Sequence, residues 1–352
     1  MSRLLKVVGA KTYADAGVSI EAGDDVVARI TSAVTSTHRA EVLGGIGGFG
    51  GLFALDTTKY HEPVLVASAD GVGTKLEVAR LVGRYDTVGI DLVAMLVDDL
   101  VCVGAEPLFM LDYVAVGAVD PKQLEVLVAG VAEGCRQANV ALLGGETAEH
   151  GGVMKPDDLD VAGFALGVVE RALTLGPERV RDGDVLVGLH SPGLRSNGYT
   201  LAREILITSE AALLEPAFVG ASRTLGDELL LPSVIYSPCV LALQRELGAS
   251  VHALAHVTGG GIVGNVVRLL SDSLDAVIDM ESFPTPEIFF EIQRRGPVSA
   301  DEMARTFNCG LGMVLALDES AGEAAVTLAR ANGFGASIVG AVRAGSQQVV
   351  LT

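Results

Sequence analysis

Apolar residues fall along this chain in two rhythms, short continuous runs and longer stretches with the roughly 3.6-residue period of a helix. Residues 22–34 carry the helical rhythm. Residues 63–69, centred on Val64, Leu65, Val66 and Ala67, read as a strand. A long apolar helix is predicted over 87–103, broken near Gly104 and Pro107, with a strand over 109–116 after it. The next helix spans 121–138, and its leading Pro121 suits a first turn that needs no backbone donor. Residues 141–143 enter a glycine turn, Gly144-Gly145-Glu146-Thr147, and 160–169 supply another strand.

The pattern breaks at 170–183, where Gly176-Pro177 and several charges interrupt it, and the domain boundary is placed there. A second unit begins with a strand at 185–189 and a turn at Ser191-Pro192-Gly193. Helices follow over 199–207 and 234–247, then a turn at 258–261, an apolar segment over 307–317, and a final helix and strand. Strands interleave with helices in both halves, which predicts an α/β or α+β class. A length of 352 residues agrees with two domains, each large enough for its own core.

Composition removes several function classes. Hydrophobic residues make up 49% and charged residues 20%, the balance of a globular chain. A formal net charge of −19 argues against non-specific nucleic-acid binding and polybasic membrane docking. No run approaches the roughly 18 apolar residues of a membrane span. The apolar stretch in residues 1–10 is too short for a signal-peptide core. Cys102, Cys135, Cys239 and Cys309 are scattered without metal spacing, and three of them sit in apolar surroundings and read as reduced buried thiols, so a cytoplasmic location is expected. An acidic chain that binds phosphates must gather positive groups locally or recruit metal ions.

Two glycine-rich turns around the 63–69 strand meet that requirement. The first holds Gly44, Gly45, Gly47, Gly48, Gly50 and Gly51; the second is Asp70-Gly71-Val72-Gly73-Thr74-Lys75. Glycines let backbone N–H groups close on phosphate oxygens, Lys75 adds a point charge, and Asp70 offers a hard oxygen for Mg²⁺. Together they predict an ATP-using enzyme. Gly45 to Gly50 also satisfies the spacing of a dinucleotide-binding fingerprint, but the context is wrong. Residues 38–43 make a poor strand, and polar Asp56-Thr57-Thr58-Lys59 soon follows where a helix should open.

Asp91, Asp98 and Asp99 interrupt the apolar helix. Asp91 and Asp98 lie within roughly 20° around the axis and about 10 Å apart along it, with Asp99 about 80° from Asp91. That spacing suits several Mg²⁺ ions along a triphosphate, with Asp70 completing the set, because unpaired acids among apolar neighbours would be costly. Glu146 and Glu149 add acids at a strand end, and Thr258-Gly259-Gly260-Gly261 offers N–H groups to an anion. Arg195-Ser196-Asn197-Gly198 gives polar donors in a turn.

These segments together resemble the phosphoribosylformylglycinamidine cyclo-ligase (aminoimidazole ribonucleotide synthetase) family over nearly the whole chain. Besides the turns already quoted, the shared blocks include 12–18, 86–95, 104–109, 160–163, His256-Val257-Thr258 and 305–313. The resemblance implies a two-domain fold, 1–170 for ATP binding and dimerisation and 171–352 for substrate, with N-terminal sheets pairing across a homodimer. It implies ATP-driven closure of an imidazole ring, with Mg²⁺ and, as a further candidate, a monovalent cation. On this reading the 44–51 turn covers ATP and Gly71, Gly73, Thr74 and Lys75 serve its phosphates. Asp70, Asp91, Asp98 and Asp99 hold metal, and Lys75, Asp91 and Arg195 form the catalytic set. Glu146, Asn197, Thr258, Gly259, Gly260 and Gly261 face a small ribonucleotide substrate.

Several positions depart from the family pattern: Ser19 where Asp is usual, Gly151 where Pro is common, Asp98 for a frequent Asn, Ser237-Pro238 for a longer polar side chain, and Arg195 for His. Arg is a permanent cation that cannot exchange a proton near neutral pH as His does. Ser19 and Arg195 therefore motivate a second reading, a paralogue that activates a different amide or carboxylate acceptor in specialised metabolism.

Overall fold

The computed structural model describes residues 11–12, 15 and 19–352; Tyr13, Ala14, Ala16, Gly17 and Val18 of the 12–18 block lie outside them. Helix α1 (Ile20–Thr35) starts at Ser19, whose hydroxyl accepts the Ala22 N–H at 3.1 Å, an N-cap that satisfies one orphan donor. Strands β1 (Val42–Leu43) and β2 (Leu52–Phe53) form an antiparallel hairpin around the first glycine turn. No strand-to-helix unit forms there, which agrees with setting the dinucleotide fingerprint aside.

The first sheet comprises β3 (Pro63–Gly71), β4 (Glu106–Val116), β5 (Ala141–Glu149) and β6 (Leu159–Glu170) in the order β3-β6-β4-β5. Helices α2 (Lys75–Val82), α3 (Val88–Cys102) and α4 (Pro121–Ala138) connect it. Only β4 and β5 pair in parallel, through the α4 crossover. Asp120 caps α4 by accepting from Lys122 and Gln123, and left-handed Asn139 ends it, so local chemistry sets both ends where the sequence placed them.

The second sheet runs β12-β9-β11-β7-β10-β8. Its strands are β7 (Val185–His190), β8 (Val251–His256), β9 (Leu274–Ile278), β10 (Leu311–Leu317), β11 (Ala336–Ala344) and β12 (Val349–Leu351). Between them lie α5 (Tyr199–Leu206), α6 (Leu225–Leu229), α7 (Ser237–Leu247), α8 (Gly261–Val266), α9 (Glu287–Arg295), α10 (Ala300–Thr306) and α11 (Gly322–Ala331). All pairs are antiparallel except β12 with β9, so the fold lies on the α+β side of the expectation.

Helix α3 joins the halves. It packs on β3 and β6 to one side and on β8 and α7 to the other, and nearly every residue is buried. One hydrophobic cluster runs through it, from Val114 and Leu142 of the first sheet to Ala253, Val314 and Val339 of the second. Gly89 allows α4 to come close: a Cβ there would lie 2.3 Å from the Val131 nitrogen. No helix among the described residues is long and apolar enough to cross a membrane.

Two predicted elements change. Gly144 to Thr147 is no turn but continuous strand, because β5 pairs residue for residue with β4 from Leu111–Gly144 to Val116–Glu149. The helix expected at 234–247 starts only at Ser237. The backbone N–H groups of Ser233 and Tyr236 are drawn to Asp91 and Asp98, which holds the preceding segment out of the helix.

Candidate active site

The seam between α3 and the second unit gathers most of the polar residues singled out in the sequence. Lys75 and Asp91 meet there with Nζ 2.5 Å from Oδ2, and neither side chain is exposed. Nζ also donates to the carbonyls of Arg195 (3.0 Å) and Leu231 (2.6 Å), while Asp91 Oδ1 accepts from the Ser233 N–H and hydroxyl. Burial pulls the Lys75 ammonium down and pushes the Asp91 carboxyl up, each partner's charge opposing the other's shift. The pair clamps the second turn to the Ser233 segment.

Two helical turns further on, Asp98 is equally enclosed. Its Oδ1 accepts from Tyr236 (2.8 Å) and Ser237 (2.9 Å), at the first turn of α7, and its Oδ2 accepts from the Arg195 guanidinium at 3.0 Å. Burial raises its carboxyl, against the charge of Arg195. Asp99, next in sequence, points elsewhere: it is exposed, and its Oδ1 lies 2.8 Å from His256 Nδ1 at the end of β8. Asp70, at the end of β3, is raised first by burial and further by the charge of nearby Asp99, against a Gly71 N–H bond. Two adjacent, open carboxylates of this kind are the hard-oxygen donor set that suits Mg²⁺.

The Ser196 turn closes on the same place. Ser196 donates to the Val72 carbonyl at 3.0 Å, and Thr74 and Thr200 hydroxyls meet at 3.1 Å. Asn197 Oδ1 is buried without a hydrogen-bond partner, beside a cavity of about 420 Å³ that Thr74, Ser196 and Tyr199 also line. Opposite, Asn265 Nδ2 donates to the carbonyls of Thr258, Gly259 and Gly261 and so holds that turn shut on itself, with Gly259 and Gly260 exposed.

A second, larger cavity of about 530 Å³ lies between α1 and the β4–β5 side of the first sheet, lined by Ser19, Ile30, Ile46, Asp112, Glu146 and Glu149 among others. Asp70, Gly163, Asp112 and Gly145 stand in one row across the four strands. Gly145 must lack a side chain, since a Cβ would fall 1.6 Å from Asp112 Oδ1. Burial pushes the Asp112 carboxyl up to about 7, and it has no ion-pair partner among the described residues. Exposed Glu146 borders this cavity, whereas Glu149 is occupied in accepting from Val119 and Ser19.

Residues 55–169 match the family described as AIR synthase related protein, N-terminal domain, and 181–351 match its C-terminal domain. The phosphoribosylformylglycinamidine cyclo-ligase of Anaeromyxobacter dehalogenans (strain 2CP-1) is 52% identical over 338 residues, 95% of this chain and 96% of that protein. That of Carboxydothermus hydrogenoformans is 47% identical over 340 residues, 97% and 98% of the two chains. The chain belongs to the phosphoribosylformylglycinamidine cyclo-ligase family. A thiamine-monophosphate kinase from Stenotrophomonas maltophilia K279a superposes with a TM-score of 0.67 at 21% identity, covering 93% of this chain and 95% of that one. The hydrogenase maturation protein HypE in complex with ATP gives 0.67 at 17%, covering 96% and 93%; these two likenesses concern the fold alone.

In this cyclo-ligase chain, part of the expected site lies inside the protein. Lys75 and Asp91 are fully buried and spent on each other and on Ser233, while Asp98 is fully buried and spent on Arg195 and the Tyr236 and Ser237 N–H groups. Arg195 is likewise buried and bonded within the protein. The sequence reading left His256 and Asp112 without a role. The signal available was an acid inside the apolar run of β4 for Asp112 and, for His256, the polar residue that ends β8.

Proposed function

We propose that this chain closes an imidazole ring at the expense of ATP. ATP phosphorylates the formamide oxygen of formylglycinamidine ribonucleotide, a substrate nitrogen attacks the activated carbon, and phosphate departs, leaving aminoimidazole ribonucleotide, ADP and phosphate. The observation that carries this reading is the 47–52% identity to cyclo-ligases across nearly the full length of both chains. Mg²⁺ bound between phosphates and the protein would neutralise their charge.

The residues' own task is positioning. Asp70 and Asp99 would hold the metal. N–H groups of the 44–51 turn and of Gly71, Gly73 and Thr74 would receive phosphate oxygens, and Asn197, the Thr258–Gly261 turn and Glu146 would face the ribonucleotide. The Lys75–Asp91 clamp supports the second turn from behind, so the phosphate-binding backbone needs no rearrangement. In this reading 1–170 binds ATP and 171–352 binds the ribonucleotide. A homodimer formed through the first sheet is supported by its uncovered apolar face, where Leu65 and Phe164 are 60% and 56% exposed. Four free cysteines support a cytoplasmic location.

The reading with a different acceptor loses its motive. Ser19 is an N-cap, a role in which Ser and Asp are equivalent, and Arg195 answers to Asp98 inside the protein. The test supplies purified protein with ATP, Mg²⁺ and formylglycinamidine ribonucleotide and follows both products. ADP and aminoimidazole ribonucleotide are expected in equal amounts; ADP formed without the imidazole would overturn the assignment.

A further inference from the structure

Arg195 stands in the left-handed region at φ 63°, uncommon for a side chain other than glycine, asparagine or aspartate, and is 2% exposed. Two of its three guanidinium nitrogens meet a defined set of partners. NH1 donates to the Val234 carbonyl at 2.7 Å, and NH2 donates to Asp98 Oδ2 at 3.0 Å. NH2 also lies 2.7 Å from His256 Nε2, and the guanidinium carbon sits 4.8 Å above the Tyr236 ring. Nε has no partner, so the group is held by its NH1 and NH2 contacts and by stacking.

A guanidinium has donors only and stays protonated. At 2.7 Å a second donor on His256 Nε2 would face it head on, so Nε2 must accept. The ring's remaining proton then sits on Nδ1, 2.8 Å from Asp99 Oδ1, and donates to it. Asp99 Oδ2 receives the Ser68 hydroxyl at 3.3 Å. Arg195 therefore donates in two directions, to Asp98, which also accepts from the α7 N-terminus, and to His256, from which donation continues to Asp99.

We propose that Asp98 and Arg195 act as one positioning unit that fixes the hydrogen-bond direction of His256 and thereby orients the Asp99 carboxylate. Within this seam a buried acid is supplied with a buried cation. Only the consequence for Mg²⁺ rests on the function proposed above; the pairing and the His256 orientation stand on geometry alone.

The first measurement is made on metal-free protein labelled with ¹⁵N-histidine, with His256 assigned by its absence in His256→Gln. The expected signature is an unprotonated Nε2 and a protonated Nδ1, lost in Arg195→Met. The reverse tautomer, or a signature unchanged in Arg195→Met, overturns the proposal. The second measurement compares Asp98→Asn, Arg195→His and the double variant. Each single change leaves one buried charge unmatched and should lower the melting temperature by about 5 °C or more. The double variant should recover most of that loss, and additive losses overturn the pairing. In turnover, Arg195→Met should raise the Mg²⁺ requirement roughly tenfold. If the wild-type protein forms no aminoimidazole ribonucleotide, the proposed function fails while the histidine signature and the thermal coupling still decide this inference.

Discussion

At the scale of single residues, the same acid can be a ligand or a girder, and burial decides which. Asp98 and Asp99 are neighbours, yet Asp98 is sealed against Tyr236, Ser237 and Arg195 while Asp99 is open beside Asp70. Lys75 gives the clearest test. As half of a buried ion pair, its replacement in Lys75→Met strands the Asp91 charge and should cost about 3–5 kcal/mol of stability in urea denaturation. A lysine that only touched phosphate would leave the denaturation midpoint unmoved. Asp112 offers a pH test with a definite sign. Its carboxyl is ordinary, near 3.8, when unfolded and about 7 when folded, so the folded chain holds the extra proton between those values. Stability contributed by that proton is present at acid pH and is lost as pH rises towards 7. Asp112→Asn should therefore melt higher than wild type at pH 8, with little difference at pH 4; equal differences at both pH values would contradict the assignment.

Elements whose ends carry their own chemistry were legible in advance. Helix α4 has Asp120, Pro121 and Asn139 at its boundaries, and its span was readable from them. Helix α1 rests on Ser19, and Ser19→Ala should lose about 1 kcal/mol by chemical denaturation. Ser19→Asp should keep that stability, as either side chain can cap. Failure came where a distant partner overrode local preference. Two consecutive glycines at 144–145 signal a turn by themselves, but the parallel partner β4 keeps them extended. The first residues of the helix expected at 234 are apolar enough for a helix, yet acids on α3 take their N–H groups instead.

Across the whole molecule, the first sheet buries one face against α3 and leaves the other to Leu65, Leu111, Tyr113 and Phe164. Such a contiguous apolar face calls for a cover, and a second copy of the sheet would supply it. Phe164→Glu should convert a species of twice the chain mass into monomer in light scattering. A wild-type monomer at micromolar concentration would remove this face from the proposed interface.

The chain's own order of residues was enough to set the helices with caps, the apolar strands, the two glycine turns and the family blocks, because those depend on neighbours within a few positions. Which acids stay open to a metal was decided only in three dimensions. Asp91, Asp98 and Asp99 share one helix and similar surroundings in sequence, but apart from Lys75 and Ser68 their partners lie more than ninety residues away, on the Ser233–Ser237 segment, Arg195 and His256. A charge is buried or free according to what folds against it, and only the packing of the second unit on α3 supplies that.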